Sequence, residues 1–473
     1  MTLPQLQTQE FGGAASARRV IFRLHFYAGL LIAPFVLVLA LTGIVYLFNT
    51  EIDDALHPSW RFAAHAGPQL PPERMVDDAM AAFPGARATR IDLPTAPDRT
   101  AVVFLTPQQG EPFRVYVDPV SGEARGSFVY THTLVGFADT AHGSLMLGDL
   151  GDAIVELAAC WAILMIATGI YLWWPRDAGG VLGAFFPRFG KGRGLWRSLH
   201  GATGLWTSTL VLFLLLTGLP WSDNWGSNLN KMMGAVGLGY PASYRTHIDH
   251  PPTAPQSEEK LGETASGVPW TLESAPAPHS NEHMMHHMDQ PIDVGQAASI
   301  FASRGLTTAY RLVYPRDAHD VFTAYTYPDQ PEGQRTIHLD QYSGEVVNDV
   351  SFADYGAGAK AVEWGVQLHM GNYFGLPNQI LMLAAALGAA MLALTGPIMW
   401  LHRRKSGLGA PAPFKGGRVA WGLLAALVGF GVIFPLLGLS ALLVLGLERL
   451  VLSRIPATRD WLGLSSHAKA TPQ

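Results

Sequence analysis

The chain has 473 residues, of which 49% are apolar and 15% charged, and its net charge is -5. This composition predicts a membrane protein, but a mean hydropathy of only +0.17 requires long polar segments between the apolar ones. The acidic balance argues against a nucleic-acid partner. Cys160 is the single cysteine in the sequence, which excludes a disulfide framework and thiolate-ligated metal clusters. A metal site in this chain must therefore use histidine, methionine or carboxylate ligands.

Five apolar runs are long enough to cross a lipid bilayer, which takes about 20 helical residues. They are Ala28–Phe48, Ile154–Trp174, Ala202–Trp221, Ile380–Leu401 and Val419–Leu447. The last run contains Pro435 and Gly438, so it predicts either one kinked crossing or a hairpin of two short segments.

Basic residues beside these runs predict the orientation. The segment before the first run contains Arg18, Arg19 and Arg23, and the loops 175–198 and 402–418 are also rich in arginine and lysine. By the positive-inside rule these three segments are cytoplasmic, together with the N-terminus. The two long polar segments between the runs then lie outside, in the periplasm of a cell with two envelopes.

The chain contains an internal repeat. A Thr-Gly pair follows 17 residues after His25 and after His200, and another follows 26 residues after His142 and after His369. The outside segments repeat the pattern Asp-x-x-Ser-Gly-Glu at 118–123 and 340–345. The sequence therefore contains two copies of one unit, each made of a helix, an outside domain and a second helix.

Each outside segment is predicted to be a small α+β domain. Alternating strands are expected at Thr100–Thr106 with Phe113–Asp118, and at Val321–Tyr327 with Arg335–Asp340. The helices Glu73–Phe83 and Val294–Ser303 are expected before them.

The predicted fold is an α-helical integral membrane protein with four core helices in two pseudo-symmetric repeats, a C-terminal membrane segment and two periplasmic α+β domains. Its parts in chain order are an N-terminal cytoplasmic segment (1–24), transmembrane helix (25–48), outside domain (49–141), outer-edge segment and helix (142–174), cytoplasmic loop (175–198), helix (199–221), second outside domain (222–368), outer-edge segment and helix (369–401), cytoplasmic loop (402–418), C-terminal membrane segment or segments (419–450) and tail (451–473).

Four of the 17 histidines occupy repeat-equivalent positions at the membrane edges, with His25 and His200 inside and His142 and His369 outside. An imidazole at an apolar boundary must form a hydrogen bond, become protonated or ligate a metal. Taken singly, each is explained by hydrogen bonds to headgroups or backbone. Taken together, two opposed pairs in a pseudo-twofold bundle are what six-coordinate b-type haem requires, so two haems b are predicted.

The residues beside these histidines suit a porphyrin. Arg23 and Arg197 are placed to bind haem propionates through charge-assisted hydrogen bonds, although they serve equally well as topology anchors. Small residues that would let a porphyrin approach the backbone are Ala28, Gly29, Gly143, Gly201, Gly204 and Gly371.

A second candidate metal site lies in the Pro-, Ser- and His-rich stretch 250–291. His279, His283, His286 and His287, with neighbouring methionines, offer imidazole and thioether ligands that suit copper or nickel. The alternative is a flexible polar linker that binds metal only incidentally.

The motifs around these histidines resemble those of a known family. The stretches 23–43, 142–149, 168–176 and 195–200 are similar to the PepSY-associated transmembrane family, and the Asp-Pro-x-Ser-Gly-Glu turn resembles its PepSY domain. The resemblance implies a bacterial inner-membrane protein related to ferric-siderophore reductases, with two haems ligated by His25, His142, His200 and His369. The fourth helix departs from the pattern and ends near His402, which is a spare candidate ligand on the inner side.

The expected function is therefore transfer of electrons through two haems to a ferric-siderophore in the periplasm, with copper as an alternative substrate. The chain has no nucleotide-binding or zinc-protease motif, so the electron donor is expected to be a separate, unidentified partner. Two other hypotheses for the function stay open. One is a non-redox protein that binds or transports a ligand by rocking of the repeat halves, and the other is a regulatory or chaperone-like membrane protein.

Overall fold

A computed structural model describes residues 3–175, 181–246, 259–265, 267–280, 290–404, 408–409, 421–452 and 454–461. Its α-helices are α1 (Leu3–Leu47), α2 (Asn49–Leu56), α3 (Pro58–Arg61), α4 (Pro72–Ala82), α5 (Leu134–Ser144), α6 (Gly148–Trp173), α7 (Arg193–Gly218), α8 (Trp225–Ala235), α9 (Ser243–Thr246), α10 (Leu261–Thr264), α11 (Trp270–Glu273), α12 (Val294–Ser303), α13 (Ala357–His369), α14 (Leu376–Arg403), α15 (Trp421–Ile433), α16 (Pro435–Leu447) and α17 (Pro456–Trp461). The strands are β1 (Arg87–Asp92), β2 (Ala101–Thr106), β3 (Phe113–Val117), β4 (Ala124–Phe128), β5 (Arg311–Val313), β6 (Val321–Tyr325), β7 (Arg335–Asp340) and β8 (Val346–Ser351).

The chain divides into two compact units. The membrane unit comprises Met1–Ile44, Ala141–Trp225 and Leu381–Gln473. The sheet unit comprises Val45–Thr140 and Gly226–Ile380.

The long apolar helices agree with the predicted crossings. Helices long and apolar enough to span a membrane are Ala17–Leu47, Gly148–Trp173, Arg193–Trp221, Leu376–Arg403 and Pro435–Leu452. The first four contain almost all of the predicted core runs and begin 4 to 11 residues earlier, because polar residues continue each helix beyond its apolar stretch. The multi-pass membrane character of the chain is thus supported by both sequence and structure.

The fifth apolar run forms two helices, α15 and α16, which meet at Phe434 and Pro435. Residues seven apart in a continuous helix lie about 10 Å apart. Here a Cβ atom built on Gly438 would lie 2.8 Å from the carbonyl oxygen of Gly431. The run is therefore a folded-back pair of short helices, the second of the two predicted alternatives. Trp161 of α6 donates its indole N–H to Ser440 of α16 at 3.1 Å, which fixes this pair to the core of the membrane unit.

The described residues of the sheet unit form one eight-stranded antiparallel sheet in the order β4-β3-β2-β1-β5-β6-β7-β8. Its β2–β3 and β6–β7 pairs confirm the strands predicted in each outside segment. Strand β1 pairs with β5, with Ile91 opposite Leu312, so the two segments contribute four strands each to one sheet. Local alternation could not reveal this, because the paired residues are more than 200 positions apart.

One face of the sheet packs on α4 and α12. Met75 of α4 and Phe301 of α12 are buried with Ile91, Val103 and Leu312 of the sheet. Helix α12 occupies the predicted residues. A capping box at Asp293 and Gln296 fixes its start, since each side chain binds the other's backbone N–H.

The repeated Asp-x-x-Ser-Gly-Glu motif is a structural turn. Asp118 Oδ1 accepts hydrogen bonds from the N–H groups of Val120 and Ser121, at 2.9 and 3.1 Å. Asp340 closes the second copy in the same way. Gly122 and Gly344 have φ of +77° and +70°, a conformation that side chains disfavour. The motif therefore connects β3 to β4 and β7 to β8.

We expect Ile91→Ala to destabilise the sheet unit by about 2–5 kcal/mol, because Ile91 is 0% exposed at the strand pair that joins the two halves. Thermal unfolding of the full chain measures the effect. The control Thr106→Ala, at the exposed end of β2, should change stability by no more than about 0.5 kcal/mol. Equal effects of the two substitutions would show that the joined sheet is not the core of this unit.

Candidate functional site

Helices α1, α6, α7 and α14 of the membrane unit enclose a cavity of about 690 Å³, here called the bundle cavity. His25 of α1 and His200 of α7 both line it. Much of its wall is apolar or small, and the small lining residues include Gly29, Ala33, Gly169, Gly201, Gly204 and Gly396. Its volume is within the range of small-molecule and cofactor pockets. The structure therefore brings the two predicted inner histidines to one cavity.

Each of these histidines lies against a Thr-Gly pair of another helix. His25 Nδ1 is 2.9 Å from Thr168 Oγ1. His200 Nδ1 is 2.8 Å from Thr395 Oγ1. A Cβ atom on the glycine that follows would lie 3.2 Å from His25 Cε1 at Gly169 and 3.9 Å from His200 Cε1 at Gly396. The repeated Thr-Gly pair is thus a seat for an imidazole: threonine binds a ring nitrogen, and glycine leaves space for the ring edge.

Each threonine hydroxyl also lies within hydrogen-bond distance of a carbonyl of its own helix. Thr168 Oγ1 donates to the Leu164 carbonyl at 2.9 Å, and Thr395 Oγ1 donates to the Met391 carbonyl at 2.7 Å. A hydroxyl has one hydrogen, so an oxygen that donates to its helix carbonyl accepts from its histidine. In that arrangement Nδ1 carries the proton and Nε2 has the lone pair that ligates metals. In the described part of the chain, neither Nε2 atom has a hydrogen-bond partner.

His142, at the end of α5 in the membrane unit, has the same kind of seat. Its Nδ1 lies 3.0 Å from the Leu39 carbonyl and 3.2 Å from Thr42 Oγ1. Because a carbonyl only accepts, Nδ1 is again the protonated nitrogen. A Cβ atom on Gly43 would lie 3.0 Å from His142 Cε1. Burial lowers the pKa of His142, while its bond to Leu39 raises it; the net shift is downward and favours the neutral ring.

His369 is the last residue of α13 and is half-buried in the sheet unit. In the sequence repeat it corresponds to His142, and Thr217-Gly218 corresponds to Thr42-Gly43. His142 and His369 belong to different units, and their pairing stays a prediction.

Five arginines line the bundle cavity: Arg18, Arg19, Arg193, Arg197 and Arg403. They come from the N-terminal parts of α1 and α7 and from the end of α14. Of the two arginines predicted to bind propionates, Arg197 lines the cavity, whereas Arg23 Nη2 lies 3.8 Å from Glu448 Oε1. Helical spacing could have identified two of the cavity arginines, because Arg18 and Arg193 each lie seven residues, or two turns, before a predicted ligand.

Some of the small residues named from the sequence make room for protein side chains. A Cβ atom on Gly29 would lie 2.9 Å from Met165 Cε, and one on Gly371 would lie 2.6 Å from Leu47 Cδ1. Gly143 has no atom within 4 Å of that position. His402 is exposed and is not part of the described cavity lining, so His25 and His200 remain the inner pair.

The His-rich linker is described only in part. His279 is exposed, whereas His283, His286 and His287 lie outside the described residues. Within the described ranges, no group of three or more His, Cys, Asp or Glu residues is arranged to hold a metal ion. The copper or nickel site stays a prediction.

We expect Gly201→Ala to lower the melting temperature of the full chain, because the new Cβ would lie 2.3 Å from the Trp173 ring. That ring donates a 3.0 Å hydrogen bond to the Ala184 carbonyl, so displacing the ring should reduce the free energy of unfolding by about 1–3 kcal/mol. The control Gly204→Ala places its Cβ 3.5 Å from Leu392 and should be tolerated. If Gly201→Ala melts at the wild-type temperature, the α6–α7 contact is looser than described.

The comparison with known protein families agrees with the resemblance seen in the motifs. The family described as PepSY-associated TM region matches residues 22–403, which is most of the chain and includes all four repeat-equivalent histidines. A search of curated proteins gives no match. The chain therefore belongs to the PepSY-associated transmembrane family.

Proposed function

We propose that the protein is a bacterial inner-membrane reductase with two b-type haems, which passes electrons from a separate donor to a ferric-siderophore in the periplasm. The observation that carries the proposal is the pair His25 and His200, two imidazoles on one largely apolar cavity, each with Nδ1 bound to a threonine hydroxyl and with Nε2 unpartnered in the described part. A haem iron with two imidazole ligands changes between Fe(III) and Fe(II) and so carries single electrons.

The residues of the bundle cavity fit a haem. His25 and His200 would ligate the iron through Nε2, because Thr168 and Thr395 hold Nδ1. The cavity arginines, with Arg197 among them, would bind the propionates by charge-assisted hydrogen bonds. Arg23 is a less direct candidate, because it faces Glu448. The apolar part of the wall suits the porphyrin ring and the neutral imidazole that ligation requires.

The second haem is proposed for His142 and His369. In support, His142 has the same seat and the same protonated nitrogen as the inner ligands. The sequence repeat gives His369 an equivalent position. An electron would enter at the inner histidines and leave from the outer pair to the ferric chelate.

The arginine-rich end of the bundle is proposed to face the cytoplasm, in line with the positive-inside rule. The sheet unit would then be a periplasmic pair of PepSY-like halves. Each Fe(III) takes up one electron and becomes Fe(II), which hard oxygen chelators hold less tightly, so the iron is released. This path requires no covalent intermediate with the chain.

We expect His25→Ala and His200→Ala each to remove one of the two haems, because each loses an axial ligand from the bundle cavity. Haem per chain, measured after extraction, should fall from about two to about one. His402→Ala is the matched control and should keep both haems, since His402 is exposed and outside the described lining. Full haem content in His25→Ala and His200→Ala would refute the inner site.

His142→Ala or His369→Ala should remove the outer haem and abolish reduction of an external ferric chelate, while the inner haem persists. The reason is that each pair ligates its own iron and neither site needs the other. Reduced-minus-oxidised spectra and the rate of Fe(II) formation measure the two effects. Equal bleaching of both haems by either substitution would rule out independent sites.

A further inference from the structure

A row of charged and aromatic side chains crosses one face of the sheet. Arg114 of β3 lies directly opposite Phe104 of β2, and Phe104 lies opposite Arg90 of β1. Two residues further along β1, Asp92 lies opposite Arg311 of β5. Directly opposed residues, and residues two apart on one strand, point to the same side of a sheet. These five residues, here called the arginine row, therefore share one face at the point where the two halves join.

The arginine row lies on the face away from α4 and α12. Ile91, between Arg90 and Asp92, is buried against those helices, as is Val103 beside Phe104. The alternation is therefore apolar toward the helices and charged on the opposite face. Charges at the centre of a sheet are costly unless they are paired or bind a ligand.

The arginine row contains three guanidinium groups but only one carboxylate, that of Asp92. Asp92 binds Arg90 through two bonds of 2.6 and 2.8 Å, and the same carboxylate is 3.7 Å from Arg311. Arg114 has neither a carboxylate within 4 Å nor a side-chain hydrogen bond in the described part of the chain. Its guanidinium carbon lies 3.6 Å from the ring centre of Tyr130 and 5.0 Å from that of Phe104. Aromatic rings thus hold Arg114 while its five N–H donors stay available.

An unpartnered hydroxyl lies beside the other end of the row. Arg311 is paired in register with Tyr325, and its guanidinium carbon lies 5.5 Å from the ring centre of Tyr327. The Tyr327 hydroxyl is buried and has no hydrogen-bond partner in the described residues. Buried hydroxyls are normally satisfied, so this one points to a bound group or water. Asp139, whose carboxylate accepts from Tyr130 at 2.9 Å, attracts Arg114 electrostatically but forms no ion pair with it within 4 Å in the described residues.

We propose that the arginine row binds an anionic, oxygen-rich ligand, with the Arg114 guanidinium as the main contact and Arg311 and Tyr327 at the far end. Guanidinium groups bind carboxylates by paired charge-assisted hydrogen bonds. Three strand spacings, about 14 Å, separate Arg114 from Arg311, which suits a ligand with several anionic oxygens. Resting on the proposed reductase function, the ligand is an anionic ferric chelate.

The test is calorimetric binding of gallium(III)–EDTA, a redox-inert anionic complex, to the full-length protein. Wild type should bind it more tightly than the cationic gallium complex of a linear trihydroxamate. Arg114→Gln should weaken binding of the anionic complex by at least about tenfold. The matched control is Arg74→Gln, which removes the same charge from an exposed side chain of α4 and should bind as wild type does.

Equal binding by Arg114→Gln and Arg74→Gln, or no preference of wild type for the anionic complex, would overturn the proposal. If Arg114→Gln fails to fold, Arg114→Lys replaces it: the charge remains but the planar fork is lost, and severalfold weaker binding is expected. Wild-type affinity in Arg114→Lys would then overturn the proposal. Because gallium is not reduced, a protein without haem still tests the arginine row. Intact haem with unaltered binding in the variants would refute only the row.

Discussion

The hydrogen bond between a histidine Nδ1 and a threonine hydroxyl is the interaction on which the proposed haem chemistry of the membrane unit depends. When Thr168 and Thr395 donate their one hydrogen to their own helices, they accept from Nδ1–H of His25 and His200. This fixes the ring orientation and leaves Nε2 as the available nitrogen. This arrangement of two such rings on one cavity is the basis of the proposed inner haem site.

The internal repeat explains how one short motif supplies this interaction several times. Each histidine near the start of a first helix binds the Thr-Gly pair of the second helix in its own repeat, as His25 does on α6 and His200 on α14. His142 uses Thr42-Gly43 of α1 in the same way. At Gly43 and Gly169 a Cβ atom would lie 3.0 and 3.2 Å from the imidazole, so the glycine keeps space for the ring, whereas the 3.9 Å distance at Gly396 is an ordinary contact.

Much of this arrangement was predictable from the sequence because it depends on local patterns. The apolar runs predicted the core helices, and equal spacings identified the four histidines and the Thr-Gly pairs. The spacings did not show that the Thr-Gly pairs bind the histidine rings. The sheet order was not predictable, since the β1–β5 pair joins residues more than 200 positions apart. The arginine row depends on that same pairing, so it could not be predicted from the sequence either. Arg23 illustrates a further limit: its position near His25 did not reveal that its side chain faces Glu448.

The visible absorption spectrum of the wild-type protein, purified from haem-replete cells, tests the central claim most directly. We expect a Soret band and, on reduction with dithionite, sharp α and β bands of low-spin haem with two imidazole ligands. The bundle cavity, with its two equally seated imidazoles, is the reason for that expectation. A colourless protein would contradict the account and favour a non-redox binding or regulatory function.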